Sequence, residues 1–137
     1  RGERQGYIDQ VGYASRIIED VVTHLLSEGR PAPIILIQAD EGPFPRQERG
    51  KPWQEQSDEA IRIKTAILNA YYFPNGDYSE LTNDITPVNS YRALFNAHFG
   101  TGFDLKPNRT YVSPGDNNLY EFHDVTERAR NTPASSE

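Results

Sequence analysis

Four large aliphatic residues in a row, Ile34-Ile35-Leu36-Ile37, run into Gln38-Ala39-Asp40-Glu41-Gly42-Pro43. Three of the four are β-branched, and such a run reads as a strand buried on both faces. Gly42 and Pro43 end it in a turn. Two carboxylates are thereby held at the carboxyl end of a buried strand. In open α/β sheets that edge is where ligands and metals bind. A central parallel strand of this kind requires further strands and covering helices from the rest of the chain.

The flanking segments supply candidates for both. From Tyr7 to Glu28, Ile8, Val11, Ala14, Ile18, Val21, Val22 and Leu25 follow the three-and-four spacing of an amphipathic helix. Gly29 stands where a left-handed capping residue is wanted, and Pro31 and Pro33 prevent continuation. From Gly42 to Asp58 there is no periodicity, and Trp53 is the only large apolar anchor of that long, charged loop. Trp53 either packs the loop down or lines a pocket. Ile61, Ile63, Thr65 and Ile67 alternate, and residues 67–73 carry a second strand signal that Pro74-Asn75-Gly76-Asp77 ends.

Thr86-Pro87 is a helix start, with Val88, Tyr91, Leu94, Phe95 and Phe99 as the apolar face and Gly100 as the stop. Residues 109–112 read as a short strand closed by the Ser113-Pro114-Gly115-Asp116 turn, and Leu119 to Val125 as a last, half-exposed edge strand. From Thr126 to Glu137 the chain is polar and reads as a disordered tail. The fold class expected is α/β, with residues 34–38 and 67–73 as central strands and helices 7–28 and 87–99 packed on them.

Composition narrows the function classes. With 14 basic against 20 acidic residues, the net charge is −6, and no basic stripe forms on any segment. That excludes a nucleic-acid footprint and an anionic-membrane patch, both of which need clustered Lys and Arg. There is no cysteine, hence no disulfide, thiolate metal site or cysteine nucleophile. No apolar run is long enough to span a bilayer, and no signal peptide is visible. A hydrophobic fraction of 36% confines the core to a few short runs, several of them aromatic, such as Tyr71-Tyr72-Phe73. Either the domain leans on something outside these residues or it has an ordinary aromatic core. The absence of methionine, Arg1 included, reads as a piece excised from a longer protein, a processed chain being the alternative.

Asp40 and Glu41 are the one strong site for chemistry. Carboxylates at a strand end beside glycine suit hard divalent cations, and a merely solvated acidic turn is the competing reading. His24 reads as a surface residue at a helix C-terminus, with a metal role as the alternative. His98 reads as a polar-face or half-buried residue. The three histidines, His123 included, fall in no ligand spacing, and there is neither a phosphate-cradling glycine loop nor a nucleophile elbow.

Residues 34–43, followed by Ile67-Leu68-Asn69-Ala70-Tyr71-Tyr72-Phe73-Pro74, resemble the carboxyl-terminal part of bacterial sulfatase-like membrane proteins of the alkaline phosphatase superfamily. Ile85-Thr86-Pro87-Val88-Asn89-Ser90-Tyr91-Arg92, Phe95-Asn96, Phe99-Gly100, residues 107–111 and residues 120–126 extend the likeness from about Tyr7 to Thr126.

The resemblance implies an extracytoplasmic domain of an integral membrane protein. In it, two divalent metals would flank a Ser or Thr nucleophile that attacks phosphate or sulfate esters. Asp40 would be one metal ligand. Glu41 stands where the family has His, which shifts preference from zinc towards Mg²⁺ or Mn²⁺, or marks a domain that has lost its chemistry and serves binding or structure. The nucleophile and the other ligands would lie in an upstream part of the same domain, so residues 1–125 form its truncated carboxyl-terminal portion and are inactive alone. That missing part is the expected partner, with a second copy pairing through exposed sheet edges as another.

Overall fold

The structure is a computed structural model that describes residues 2–28, 31–43, 46–114 and 118–130. Helix is abundant and strands are short, so the chain is broadly α/β with small antiparallel sheets. Two units can be distinguished, Arg1–Leu36 with Tyr71–Gly76, and Ile37–Ala70 with Asp77–Glu137.

The first unit is dominated by helix α1, Glu3–Ser27. Gly2 starts it without a side-chain cap, and its carbonyl accepts from the amides of Gln5 and Gly6. His24 lies in the last turn, 3.3 Å from Glu28, as expected of a histidine at a helix C-terminus. Gly29, the expected cap, lies outside the described residues. The amphipathic spacing is present, yet the apolar stripe is not packed. Tyr7, Ile8, Val11, Tyr13, Ile17, Val21, Leu25 and Leu26 are each 43–61% exposed. Among the described side chains of α1, only Gly12, Ile18 and Val22 are partly covered. Among the described residues no helix is long and apolar enough to cross a membrane.

Strand β1, Ile35–Gln38, pairs with β2, Asn69–Tyr72, in a two-stranded sheet. The pairing is antiparallel, which corrects the expected central parallel strand. All four residues of β1 are half-buried, not sealed on both faces. The reason is physical: a strand is buried on both sides only when layers cover both, and a two-stranded ladder provides no such layers.

The second unit holds the packed core. Its loop after Gly42 is less irregular than expected, with single turns of 3₁₀ helix at Arg46–Glu48 and Trp53–Glu55. Residues 61–65, expected to be extended, instead belong to helix α2, Asp58–Thr65. The Ser57 hydroxyl accepts from the amide of Ala60 at 3.2 Å, Asp58 and Glu59 occupy the first turn, and Arg62 and Lys64 the last. Capping and the helix dipole therefore outweigh a short alternation of β-branched residues.

Helix α3 spans Pro87–Phe99, with the anticipated bounds, and Gly100 closes it at φ 60° while donating to the carbonyl of Asn96. Of the expected apolar face only Leu94 is half-buried. Val88, Tyr91, Phe95 and Phe99 are exposed, and the buried positions are Asn89, Ser90 and Ala93.

Strands β3, Tyr111–Val112, and β4, His123–Asp124, pair antiparallel, with Tyr111 opposite Asp124 and Val112 opposite His123. The expected edge strand from Leu119 shrinks to two residues because Glu121 donates to the carbonyl of Asn118 in a turn, leaving Leu119, Tyr120 and Phe122 exposed. The Ser113–Asp116 turn lies partly outside the described residues.

Residues 126–130 are not a disordered tail. They form helix α4, Thr126–Arg130, which packs on α2. Its start is fixed by Asp124, whose carboxylate accepts from the Thr126 amide at 2.9 Å and hydroxyl at 2.6 Å. Residues 131–137 of the expected tail lie outside the described residues. The core of this unit is Ile61, Val112 and Val125, with Trp53 and Ala129 packed against it. Trp53 is thus a packing residue of the long loop.

Candidate functional site

The carboxyl end of β1 is held from two directions. Ala39 donates its amide to the carbonyl of Leu68 at 2.9 Å, and the Gln38 side chain donates to Asn69 Oδ1 at 3.1 Å. Gly42 is buried, and its amide donates to the carbonyl of Lys64 at 2.7 Å. A Cβ at position 42 would overlap the carbonyl oxygen of Ile63 and come within 2.9 Å of that of Ala66. Only glycine lets the chain run this close to the end of α2. The two carboxylates therefore sit on a short bridge, Asp40-Glu41, between two backbone anchors.

Within that bridge the carboxylates are used differently. Asp40 is exposed, and its Oδ1 accepts the Glu41 amide at 2.9 Å. Oδ2 of Asp40 carries no hydrogen bond among the described residues, so it can take a cation. Glu41 makes an ion pair through Oε2 with Lys64 Nζ. The Lys64 side chain is only 14% exposed and that of Glu41 60%. As a donor set for a divalent cation, Asp40 fits as one oxygen ligand. Glu41 is already satisfied by the Lys64 ammonium.

No histidine is brought to this corner. His24 lies beside Glu28 on α1, and His123 is 3.4 Å from Glu121 and 3.5 Å from the amide nitrogen of Gln54. His98 lies in the last turn of α3, close enough to Asp77 to help lower that carboxyl, whose main cause of depression is a hydrogen bond from Ser79. Among the described residues no group of three or more His, Asp or Glu is disposed to hold a metal.

A second polar cluster joins residues 84–89 to residues 106–108, segments singled out in the sequence without a site assigned to them. Asn89 donates to the Lys106 carbonyl at 2.6 Å and to Asn108 Oδ1 at 2.8 Å, and accepts the Lys106 amide at 2.8 Å. The amide and hydroxyl of Thr86 both donate to Asn108 Oδ1 at 3.2 Å. Asn108 in turn donates to Asp84 Oδ1 at 3.3 Å, and Arg130 donates to Asp84 Oδ2 at 2.6 Å and to the Asn108 carbonyl at 2.9 Å. Hydrogen bonding from Thr82, with Arg130 and Asn108 behind it, holds the Asp84 carboxyl below its ordinary value.

Beside this cluster lies an open cleft of about 540 Å³, lined among others by Arg109, Asp124 and Thr126. Arg109 is 3.1 Å from Asp124, Arg128 2.6 Å from Asp58 and Arg130 2.6 Å from Asp84. Every arginine of the cleft is matched to a carboxylate, and the Thr126 hydroxyl that donates to Asp124 does so as the cap of α4, so the cluster works as a fastening. It ties α4 and residues 106–110 to the start of α3.

Comparison of the chain with protein-family models, with curated proteins and with solved structures gives no match in any of the three.

Proposed function

We propose that this chain is the carboxyl-terminal part of a sulfatase-like domain of the alkaline phosphatase superfamily. The domain belongs to a bacterial integral membrane protein and stands on the extracytoplasmic face. The parent is a metal-dependent hydrolase or transferase acting on phosphate or sulfate esters, and these residues alone are inactive.

One observation carries the incompleteness: the exposed apolar stripe of α1 from Tyr7 to Leu26. Burying a side chain of this kind is worth about 1.5–3 kcal/mol, and eight of them stand uncovered on one helix. Val88, Tyr91, Phe95 and Phe99 repeat the pattern on α3. Large apolar surfaces of this sort mark a face made for a partner. An upstream part of the same domain is the partner that the motif resemblance supplies.

The chemistry rests on Asp40. It stands at the strand end expected of a ligand, with one carboxylate oxygen engaged locally and the other available. A divalent cation bound there would polarise an ester oxygen and offset charge developing on it. Asp40 would hold that ion, and the Gly42 anchor on α2 would hold Asp40 in place.

The test is hydrolysis of p-nitrophenyl phosphate and p-nitrophenyl sulfate by the full-length protein and by residues 1–137 alone. Turnover by the full-length protein that falls at least about a hundredfold in Asp40→Ala, with none from the segment, supports the reading. Turnover by the segment alone that disappears in Asp40→Ala refutes it.

A second reading is favoured by one specific contact, the Glu41–Lys64 pair. In it the domain keeps the fold and serves binding or structure without metal chemistry. Full-length protein without esterase activity and without bound divalent metal would select this reading.

A further inference from the structure

Ser90 is fully buried on the inner face of α3, and its hydroxyl is used in both senses. Oγ accepts from Asn69 Nδ2 at 3.4 Å and donates to the carbonyl of Thr86 at 3.1 Å. Behind Asn69 stands Gln38, whose Nε2 donates to Asn69 Oδ1 at 3.1 Å. Beyond Thr86 stands Asn108, which accepts from the Thr86 amide and hydroxyl and donates to Asp84, where Arg130 also donates. A continuous run of hydrogen bonds thus leads from the end of β1 through β2 and the start of α3 to α4. All of its members belong to the second unit.

The chemistry of its members fixes the direction of the run. A carbonyl and an ionised carboxylate only accept. The Thr86 carbonyl therefore takes the Ser90 proton, which leaves Ser90 Oγ to accept from Asn69. Asn69 must then turn its amide nitrogen to Ser90 and its oxygen to Gln38. In the same way Asp84 draws Nδ2 of Asn108, whose oxygen is left for Thr86. Thr86 joins the two halves, since its carbonyl serves one and its amide and hydroxyl the other. Hydrogen bonds weaken steeply with misalignment, so a displacement at either end is felt along the run.

We propose that Ser90 is the coupling point of a conformational device: through its hydroxyl, the strand end at Gln38 and the seating of α4 by Arg130 depend on one another. Without that hydroxyl the orientation of Asn69 is no longer dictated from α3, and Gln38 loses its instruction with it. The device is independent of the esterase reading above.

The experiment is a double-mutant cycle read by urea unfolding. It compares Gln38→Leu, Arg130→Met and the two together, first in the wild-type background and then in Ser90→Ala. Gln38 bonds to Asn69, and Arg130 to Asp84 and Asn108, so among the described residues the two share no partner. Sites of that kind ordinarily add. The expected result is a departure from additivity of at least about threefold in the unfolding constant, which disappears in Ser90→Ala. Additive effects in the wild-type background overturn the proposal. So does a departure that survives in Ser90→Ala, because the coupling would then run by another route. If Ser90→Ala fails to fold, Asn69→Leu cuts the run one step earlier: a departure lost there upholds the proposal, and one that persists ends it.

Discussion

Asn89 and Asn108 meet side chain to side chain at 2.8 Å, and Asn89, 2% exposed, spends its remaining hydrogen bonds on both backbone groups of Lys106. A polar residue on the buried face of α3 thus acts as the clamp for the segment that leads into β3. Asn89→Ala would remove the two hydrogen bonds that hold the Lys106 amide and carbonyl and the one to Asn108, at about 0.5–1.5 kcal/mol each. The expected loss is about 2–4 kcal/mol, read by urea unfolding. Asn89→Leu, which replaces the amide with an apolar group of similar size, should not rescue it.

Gly42 should be the least replaceable residue of the strand end. Its backbone is not in the left-handed region, so the requirement is for space. In Gly42→Ala the new methyl meets backbone carbonyls, which cannot swing aside as a flexible side chain can. A destabilisation of about 3 kcal/mol or more is expected, together with loss of any metal held by Asp40. Thermal unfolding and Mn²⁺ binding measured on the same variant would check both.

Acid should loosen α4 before the rest of the second unit. Asp124 is held below its ordinary value first by the Thr126 hydroxyl, then by the Thr126 amide, with Arg109 adding to the effect. A depressed folded-state pKa means that the unfolded chain binds the proton more readily. The stabilisation is therefore complete above the unfolded value of about 3.9 and is lost as pH falls through the lower folded value. Amide protection of Thr110 and Thr126, followed by hydrogen exchange between pH 6 and 2.5, should drop at the acid end of that range. Asp124→Asn, whose side-chain oxygen still accepts but does not titrate there, should flatten the acid response.

The apolar stripe of α1 predicts opposite outcomes in two contexts. Val21→Lys combined with Leu25→Lys should reduce self-association of residues 1–137, seen by analytical ultracentrifugation. If the proposed upstream part covers α1, the same pair in a longer protein that contains it should destabilise the domain by several kcal/mol, because charges would replace covered apolar side chains. Equal tolerance in both would mean that nothing upstream covers this helix.

What could be read from the chain divides along local and non-local physics. The bounds of α3 were legible because Pro87 and Gly100 act within a turn of themselves, although the Thr86 hydroxyl makes no cap and donates to Asn108 instead. The side of α3 that is buried was not, since Asn89 is drawn inward by partners at positions 106–108 that no helical wheel contains. For α2 the alternation of Ile61, Ile63, Thr65 and Ile67 outweighed a quieter signal, Ser57 followed by two acids, that decides the structure. The placement of Asp40 and Glu41 at a strand end followed from Gly42-Pro43. Lys64 as the companion of Glu41 did not, because the two are joined only through the close passage of Gly42 past the end of α2.

The inward side of α3 has one more consequence. Greasy contacts tolerate sliding and rolling, whereas Asn89 and Thr86 bond to residues 106–108 and Ser90 accepts from Asn69, along fixed directions that admit a single azimuth of the helix. The chain therefore cannot roll α3 to hide Tyr91, Phe95 and Phe99, and residues 1–137 in solution should associate through them before they rearrange.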